Sequence, residues 1–427
     1  MFCGMAFRLY FHRMAALHYF NPGHETAVLN GSPYYMLPSN VRQMQEDLGL
    51  LPFCYALKDD YILTEKEVCS DFYGKLTDII GSVARPLVRE EVIRQEAELP
   101  FLKACPWGLS PQSLQQFRYL AGQSSLNMEI PVWDDAISRL VGRETAAICL
   151  RSLLRLFPVM DTGICPRFRC SLEEVETFVE KSRFPVLVKA PYSSSGRGLL
   201  WIYSGRLKEA DRQWITGVLK KQGMVSLEPV LQKIQDFAME FYSDGKGHVR
   251  FEGYSLFSTA GKGAYSGNLL AGQYVIKQLL SASVGEELLD EVGDSLENLL
   301  GEVYGALYEG YLGVDMMVYK NADGMLLLHP CVEINMRHTM GLVAFFIMEK
   351  MLYPSSEGLF AVRYHGGHNE ALSFHRSMEA MYPLVCSGGK IRSGYLSLCP
   401  VSESTRYMAT ILVEKDPEKI NGLFFAK

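Results

Sequence analysis

The sequence has no apolar run approaching the ~20 residues that a membrane-spanning helix needs, and its mean hydropathy of +0.02 is ordinary. It therefore does not read as an integral membrane protein. Basic charge is not in excess: 42 Lys and Arg stand against 48 Asp and Glu, a formal charge of −6, with no basic cluster to grip a phosphate backbone, which argues against a nucleic-acid partner. No Cys-x-x-Cys pair occurs. Ten cysteines are scattered along the chain and only Cys165 and Cys170 lie close together; that pattern points to reduced, mostly buried thiols in a cytoplasmic protein rather than to zinc or a disulfide framework. The opening stretch MFCGMAFRLYFHRM does not read as a secretory signal, because Arg8, His12 and Arg13 interrupt it before an apolar core can form, and a loose extension is expected there. There is no Walker motif, no Ser-His-Asp or other nucleophile motif, no internal repeat and no low-complexity tract.

What is present is 427 residues, 48% hydrophobic and 21% charged. This is enough for two or three domains with buried cores and excludes disorder as the dominant state. The apolar run AALHYF, entering the turn Asn21-Pro22-Gly23, opens a first α/β unit over residues 1–135. From residue 136 the signals sharpen. Ala146, Cys149, Leu150 and Leu153 form a helical stripe ending before Pro158, and Ser171 with Glu174 is a capping box. FPVLVK, the loop YSSSGRG and LLWIY give strand, glycine loop, strand, completing a unit over 136–225. Three more strands and a long helix, expected to open on a second capping box at Ser283 and Glu286, lead into two strands flanking Asn321-Ala322-Asp323-Gly324, within 226–352. Residues 353–427 read as a smaller mixed segment.

Three places carry chemistry. Lys189 precedes Ser193, Ser194, Ser195, Gly196, Arg197 and Gly198, a loop of small side chains and many donors that can wrap phosphate oxygens; judged alone, such a loop is more often a hairpin tip. Glu228-Pro229-Val230-Leu231 is an extended segment able to offer backbone groups to an adenine edge, with Asp236 placed to accept from a ribose hydroxyl. A strand end followed by a connection explains the same residues. Asp315, in GVDMMVY, and Glu333 and Asn335, in VEINMRHTMG, supply hard oxygen ligands suited to Mg2+. Their register depends on the turn. A three-residue loop, Ala322 to Gly324, with Gly324 left-handed, sets Asp315 opposite Cys331 and on the same face as Glu333 and Asn335. Arg337 is a salt-bridge partner for these acids or an anion clamp. His24 and Glu25, after the first strand, read first as a locally bonded turn and second as lining of an acceptor site. His365 and His368 read as loop.

Taken in order, these sites resemble the ATP-grasp superfamily over about residues 139–345. VLVKAPYSSSGRGL resembles the strand lysine and glycine loop of that family, Leu227 to Leu231 its adenine hinge, Asp236 its ribose-binding acid, and GVDMMVY with E-x-N-x-R its metal-binding strands. Where the family usually has another phosphate-binding lysine, this chain has Arg143. The resemblance implies an α/β (α+β) ATP-grasp fold with a preceding small α/β domain. It also implies ATP with Mg2+, Mn2+ being an acceptable substitute, and small-molecule carboxylate and amine substrates, with no membrane or nucleic-acid partner and a homodimer allowed. The implied activity is a ligase that forms an acyl phosphate, with Lys189 and Arg337 closest to the chemistry. A small-molecule kinase and a non-catalytic nucleotide-binding protein are the alternatives.

Overall fold

A computed structural model of the chain describes residues 14–94, 99–193, 198–261 and 263–414. The first unit is a parallel five-stranded sheet in the order Arg85–Val88, Tyr61–Thr64, Ala15–Tyr19, Leu102–Pro106, Met128–Glu129. Alternation along the central strand decides its packing. Leu17 and Tyr19 join Phe117 and Leu120 of the helix Pro111–Gln123 in one core, while Phe20 and Ile62 join a second core shared with the helix Met340–Met351. Strand order reverses between Ala15–Tyr19 and Leu102–Pro106, so the crevice beyond their C-terminal ends is where such sheets receive ligands. Asn21 clamps that crevice: its amide donates to the Gly108 carbonyl at 2.8 Å and accepts from the Gly108 N–H at 3.1 Å.

The second unit is an antiparallel sheet in the order Arg167–Arg169, Val225–Pro229, Val186–Lys189, Leu199–Ile202. Helices Leu172–Lys181 and Glu209–Gln222 cover it over Val175, Val179, Val188, Ile215 and Leu227. Ser171 and Glu174 cap the first of these helices reciprocally, as their spacing predicts.

A nine-stranded antiparallel sheet makes the third layer, from Leu326–Asn335 and Glu309–Lys320 through Gln232–Asp244, Val249–Ala260 and Ala264–Leu270. Residues beyond 353, set apart by the sequence reading, extend this same sheet with Glu357–Tyr364, Tyr407–Glu414, Lys390–Ser397 and Val385–Ser387. Helix Glu286–Val303 buries Leu289, Val292, Leu296 and Leu300. The expected capping box at its start does not form: Ser283 lies inside the preceding helix Gln273–Val284, and Gly285, at φ 88°, breaks the two apart and takes the N-cap position. Among the described residues no helix is long and apolar enough to cross a membrane.

The hairpin that carries the acids closes through Ala322 to Gly324, with Asn321 N–H bonded to the Met325 carbonyl and Gly324 at φ 86°. One detail of the register differs from expectation. Pairing runs Lys320 with Leu326 to Met317 with His329, shifts, and resumes with Asp315 opposite Glu333 instead of Cys331. Three residues, Pro330 to Val332, then oppose Met316 alone. Pro330 has no N–H to give the ladder, and this outermost strand of the sheet tolerates the irregularity. Because the shift is two residues, the face is unchanged.

Candidate active site

A cleft of about 590 Å3 lies where the three units meet, lined by Glu25 and Trp107 from the first, Ser193 from the second, and Arg143, Glu240, Asp315, Glu333, Asn335 and Arg337 from the third, on whose sheet the helix carrying Arg143 packs. Arg143 opens the helix Arg143–Leu156. Its guanidinium donates to the Ala190 carbonyl at 3.0 Å and to Ser193 Oγ at 3.4 Å, and pairs with Glu333 Oε1 at 3.1 Å. It thus ties the base of the serine-glycine loop to the acid of the outermost strand. Gly198 returns the chain, its carbonyl accepting from Ala190 N–H at 2.9 Å. A Cβ there would meet Ser193 at 2.2 Å, so only glycine fits. Ser194, Ser195, Gly196 and Arg197 lie outside the described residues.

Lys189 ends its strand buried, with its ammonium 2.5 Å from Glu228 Oε2; Glu228 also accepts from Ser226 Oγ at 3.2 Å. Of the hinge amides, Val230 N–H is bonded to the Pro185 carbonyl. Asp236 accepts from Lys233 Nζ at 2.5 Å and Thr259 Oγ1 at 2.9 Å. Lys189, Glu228, Val230, Leu231 and Asp236 are therefore beside the cleft, each polar side chain already partnered, rather than among the residues lining it.

The opposite wall concentrates negative charge. Asp315 faces Glu333 across the ladder, and Glu240, on the neighbouring strand, is fully buried, accepting from Ser255 Oγ and Thr339 Oγ1 at 3.0 Å each. Burial, then the charges of Glu333 and Glu240, push the Asp315 carboxyl up to about 8. Burial pushes Glu240 up to about 7 against the pull of its two hydroxyl donors. A carboxyl raised by burial and by the acids beside it, as Asp315 is, marks a site whose ionised state calls for a cation. Among the described residues no three His, Cys, Asp or Glu side chains close on a common point. Mg2+ does not need that, since one or two carboxylates with waters and phosphate oxygens complete its shell. Asp315, Glu333 and the Asn335 amide fit that requirement.

Arg337 joins the wall to the first unit. Its Nε donates to Glu25 Oε1 at 2.8 Å, Nη2 to Asn335 Oδ1 at 2.9 Å and Nη1 to the His338 carbonyl at 3.1 Å. Burial opposes charge on Glu25, but His24, 3.1 Å away, and Arg337 hold its carboxyl well below the usual range. Glu25 is thus more than part of a local turn. His24 starts the helix His24–Asn30 and packs beneath Gly108, whose missing Cβ would strike its ring at 2.4 Å. His365 and His368 sit in the connection between Tyr364 and the helix Glu370–Met381, as expected. Sequence reasoning missed Glu240. Its only signal was a carboxylate in an otherwise apolar run, FAMEFY, where burial demands partners.

No protein-family model matches the chain, and no curated protein does. Solved structures do. Biotin carboxylase from Campylobacter jejuni, solved with a β,γ-ATP complex, covers 96% of this chain and 89% of its own with TM-score 0.52 at 11% identity. N5-carboxyaminoimidazole synthetase from Staphylococcus aureus, solved with ADP, covers 97% of each chain with TM-score 0.48 at 12% identity.

Proposed function

Because the chain has the ATP-grasp fold, we propose that it is an ATP- and Mg2+-dependent ligase that activates a carboxylate as its acyl phosphate and passes the acyl group to an amine. The observation that carries this reading is the placement of Asp315 and Glu333 face to face, beside Arg337, in a cleft whose other wall holds Arg143 and Ser193. Donors that suit a polyphosphate thus oppose acids that suit its counter-ion.

Arg143 and Ser193 bind the phosphate chain, and Lys189 contributes a point charge by partial release from Glu228. The hinge from Glu228 to Leu231 receives the base, with the Leu231 N–H as its donor, since Val230 is bonded to Pro185. Asp236 takes the ribose in exchange for Lys233. Asp315, Glu333 and Asn335 would hold Mg2+, which when bound would neutralise charge on the phosphate chain. Arg337, aimed by Glu25 and Asn335, stabilises the acyl phosphate and the oxyanion that forms as the amine attacks. The carboxylate oxygen bonds to the γ-phosphorus as the bond to ADP breaks. The amine nitrogen then displaces phosphate from the carbonyl carbon, losing one proton to solvent.

The test is ADP and phosphate release measured over pools of amino acids and small carboxylates, each with and without amines. Release that needs both a carboxylate and an amine supports the ligase. Phosphoryl transfer to a single acceptor supports a kinase instead, and nucleotide binding without turnover in any pool removes the catalytic reading.

A further inference from the structure

Outside the cleft, the face of the parallel sheet turned away from helix Pro111–Gln123 carries a second constellation. His18 and Cys105 are register partners on the adjacent strands Ala15–Tyr19 and Leu102–Pro106, one residue before each strand ends, at the point where strand order reverses. Partners in register present their side chains on one face. His18 is buried, and its Nε2 is 3.1 Å from Asp60 Oδ2. Asp60 is fixed by two backbone donors, Ala16 N–H and Leu57 N–H, each at 2.9 Å. The other ring nitrogen, Nδ1, is buried with no hydrogen-bond partner. Cys105 is partly exposed and is not in a disulfide.

We propose that Cys105 is a reactive thiol, activated through His18 and Asp60, that forms mixed disulfides with low-molecular-weight disulfides. The Cys105 S–H gives its proton to His18 Nδ1, and Asp60 accepts from the Nε2 N–H and carries the balancing charge. The thiolate attacks one sulfur of the disulfide, a new S–S bond forms, the old one breaks, and the leaving thiolate takes the proton from Nδ1. Electrons balance, because one disulfide is exchanged for another.

The surroundings favour this pairing. Burial disfavours a charged His18, but Cys105 and Asp60 outweigh it and raise its pKa to about 9. His338, stacked on Tyr55 at 4.3 Å, does not compete for the proton, since burial and the charge of His18 push it down to about 3. Among the described residues, Tyr55, its hydroxyl buried without a partner, and Tyr308 are the other titratable groups in electrostatic reach of Cys105, and burial raises both phenols well above their usual value. Lys103, earlier on the same strand, is engaged by Glu309 at 2.5 Å. An adduct on Cys105 has a route to the cleft: the Trp107 carbonyl two residues on accepts from His338 N–H at 2.9 Å, and Gly108 bridges to Arg337.

The full-length protein is alkylated with iodoacetamide from pH 5 to 10, and the rate at each cysteine is read by peptide mass spectrometry. Exposed Cys170 serves as the internal reference. Accessibility cancels in the change of the Cys105 to Cys170 rate ratio between pH 9 and pH 6.5. That ratio is expected to be at least about tenfold higher at pH 6.5 than at pH 9, because a thiol that hands its proton to His18 stays nucleophilic where an ordinary thiol is largely protonated. His18→Asn should flatten it and Asp60→Asn should reduce it. Glutathione disulfide at pH 7 should give a dithiothreitol-reversible adduct on Cys105. A flat ratio in the native protein overturns the proposal, as does a ratio unchanged in His18→Asn or an adduct on Cys170 without one on Cys105. If His18→Asn fails to fold, the native profile and Asp60→Asn decide the matter.

Discussion

Replacing Asp315 with asparagine should stabilise the protein while removing its metal response. The side chain keeps its shape and loses the charge that Glu333 and Glu240 oppose. In the unfolded chain an aspartate titrates near 3.9, whereas burial and the two neighbouring acids raise Asp315 to about 8 in the fold. Between those values the folded state holds a proton that the unfolded state has released, so stability falls as pH rises from about 4 to about 8 and levels off above. The asparagine variant lacks this loss. Each pKa unit corresponds to about 1.4 kcal/mol, but Asp315 is only partly buried in an open cleft, and screening by water reduces the whole effect to about 1–3 kcal/mol. Melting midpoints of both proteins in EDTA, from pH 5 to 9, give the answer. The gap in favour of the variant should widen up to about pH 8 and then stay constant, and Mg2+ should narrow it by stabilising the native protein alone. A variant that melts lower at pH 8.5, or a gap independent of pH, refutes the electrostatic account of this wall.

Lys189→Ala should weaken ATP binding by about 1.5–3 kcal/mol, the worth of a charge-assisted hydrogen bond; calorimetry with an unchanged affinity would remove Lys189 from the nucleotide site. Glu25→Gln leaves Arg337 its acceptors, the amide oxygen at position 25, Asn335 Oδ1 and the His338 carbonyl, but removes the opposing charge from the first unit. Turnover should then fall roughly tenfold to a hundredfold, the effect of about 1.5–3 kcal/mol, with nucleotide affinity nearly unchanged in steady-state kinetics. Gly341→Ala places a Cβ 2.2 Å from both Glu240 Oε1 and Ser255 Oγ, so it should lower the melting midpoint and the turnover together, whereas Gly217→Ala, in open space on a helix, should lower neither. Gly324→Ala forces a side chain into φ 86° and should cost about 1 kcal/mol in denaturant unfolding.

Much of the site was legible because its parts are local. Alternation, a two-residue spacing and a three-residue turn place Asp315, Glu333 and Asn335 on one face, and a parity argument survives a two-residue bulge. The direct partner of Asp315 was not legible, because the shift at Pro330 depends on what the strand packs against. Long-range pairings stayed hidden for the same reason. Glu25 meets Arg337 across 312 positions, and the hydroxyls that satisfy Glu240 come from positions 255 and 339. The helix opening after Gly285 misled because a serine three residues before a glutamate is a cap only if the backbone there is extended. The Cys105, His18 and Asp60 group has no spacing signature, since the parallel sheet alone brings its members together.

Diffraction from crystals grown with Mg2+ and a non-hydrolysable ATP analogue tests the central claim most directly. The account predicts the triphosphate between Arg143 with Ser193 and Asp315 with Glu333, with a cation about 2.1 Å from a carboxylate oxygen of that pair and the base against the hinge at Glu228 to Leu231. Nucleotide bound elsewhere, or in the cleft with Asp315 and Glu333 both remote from the cation, would contradict it.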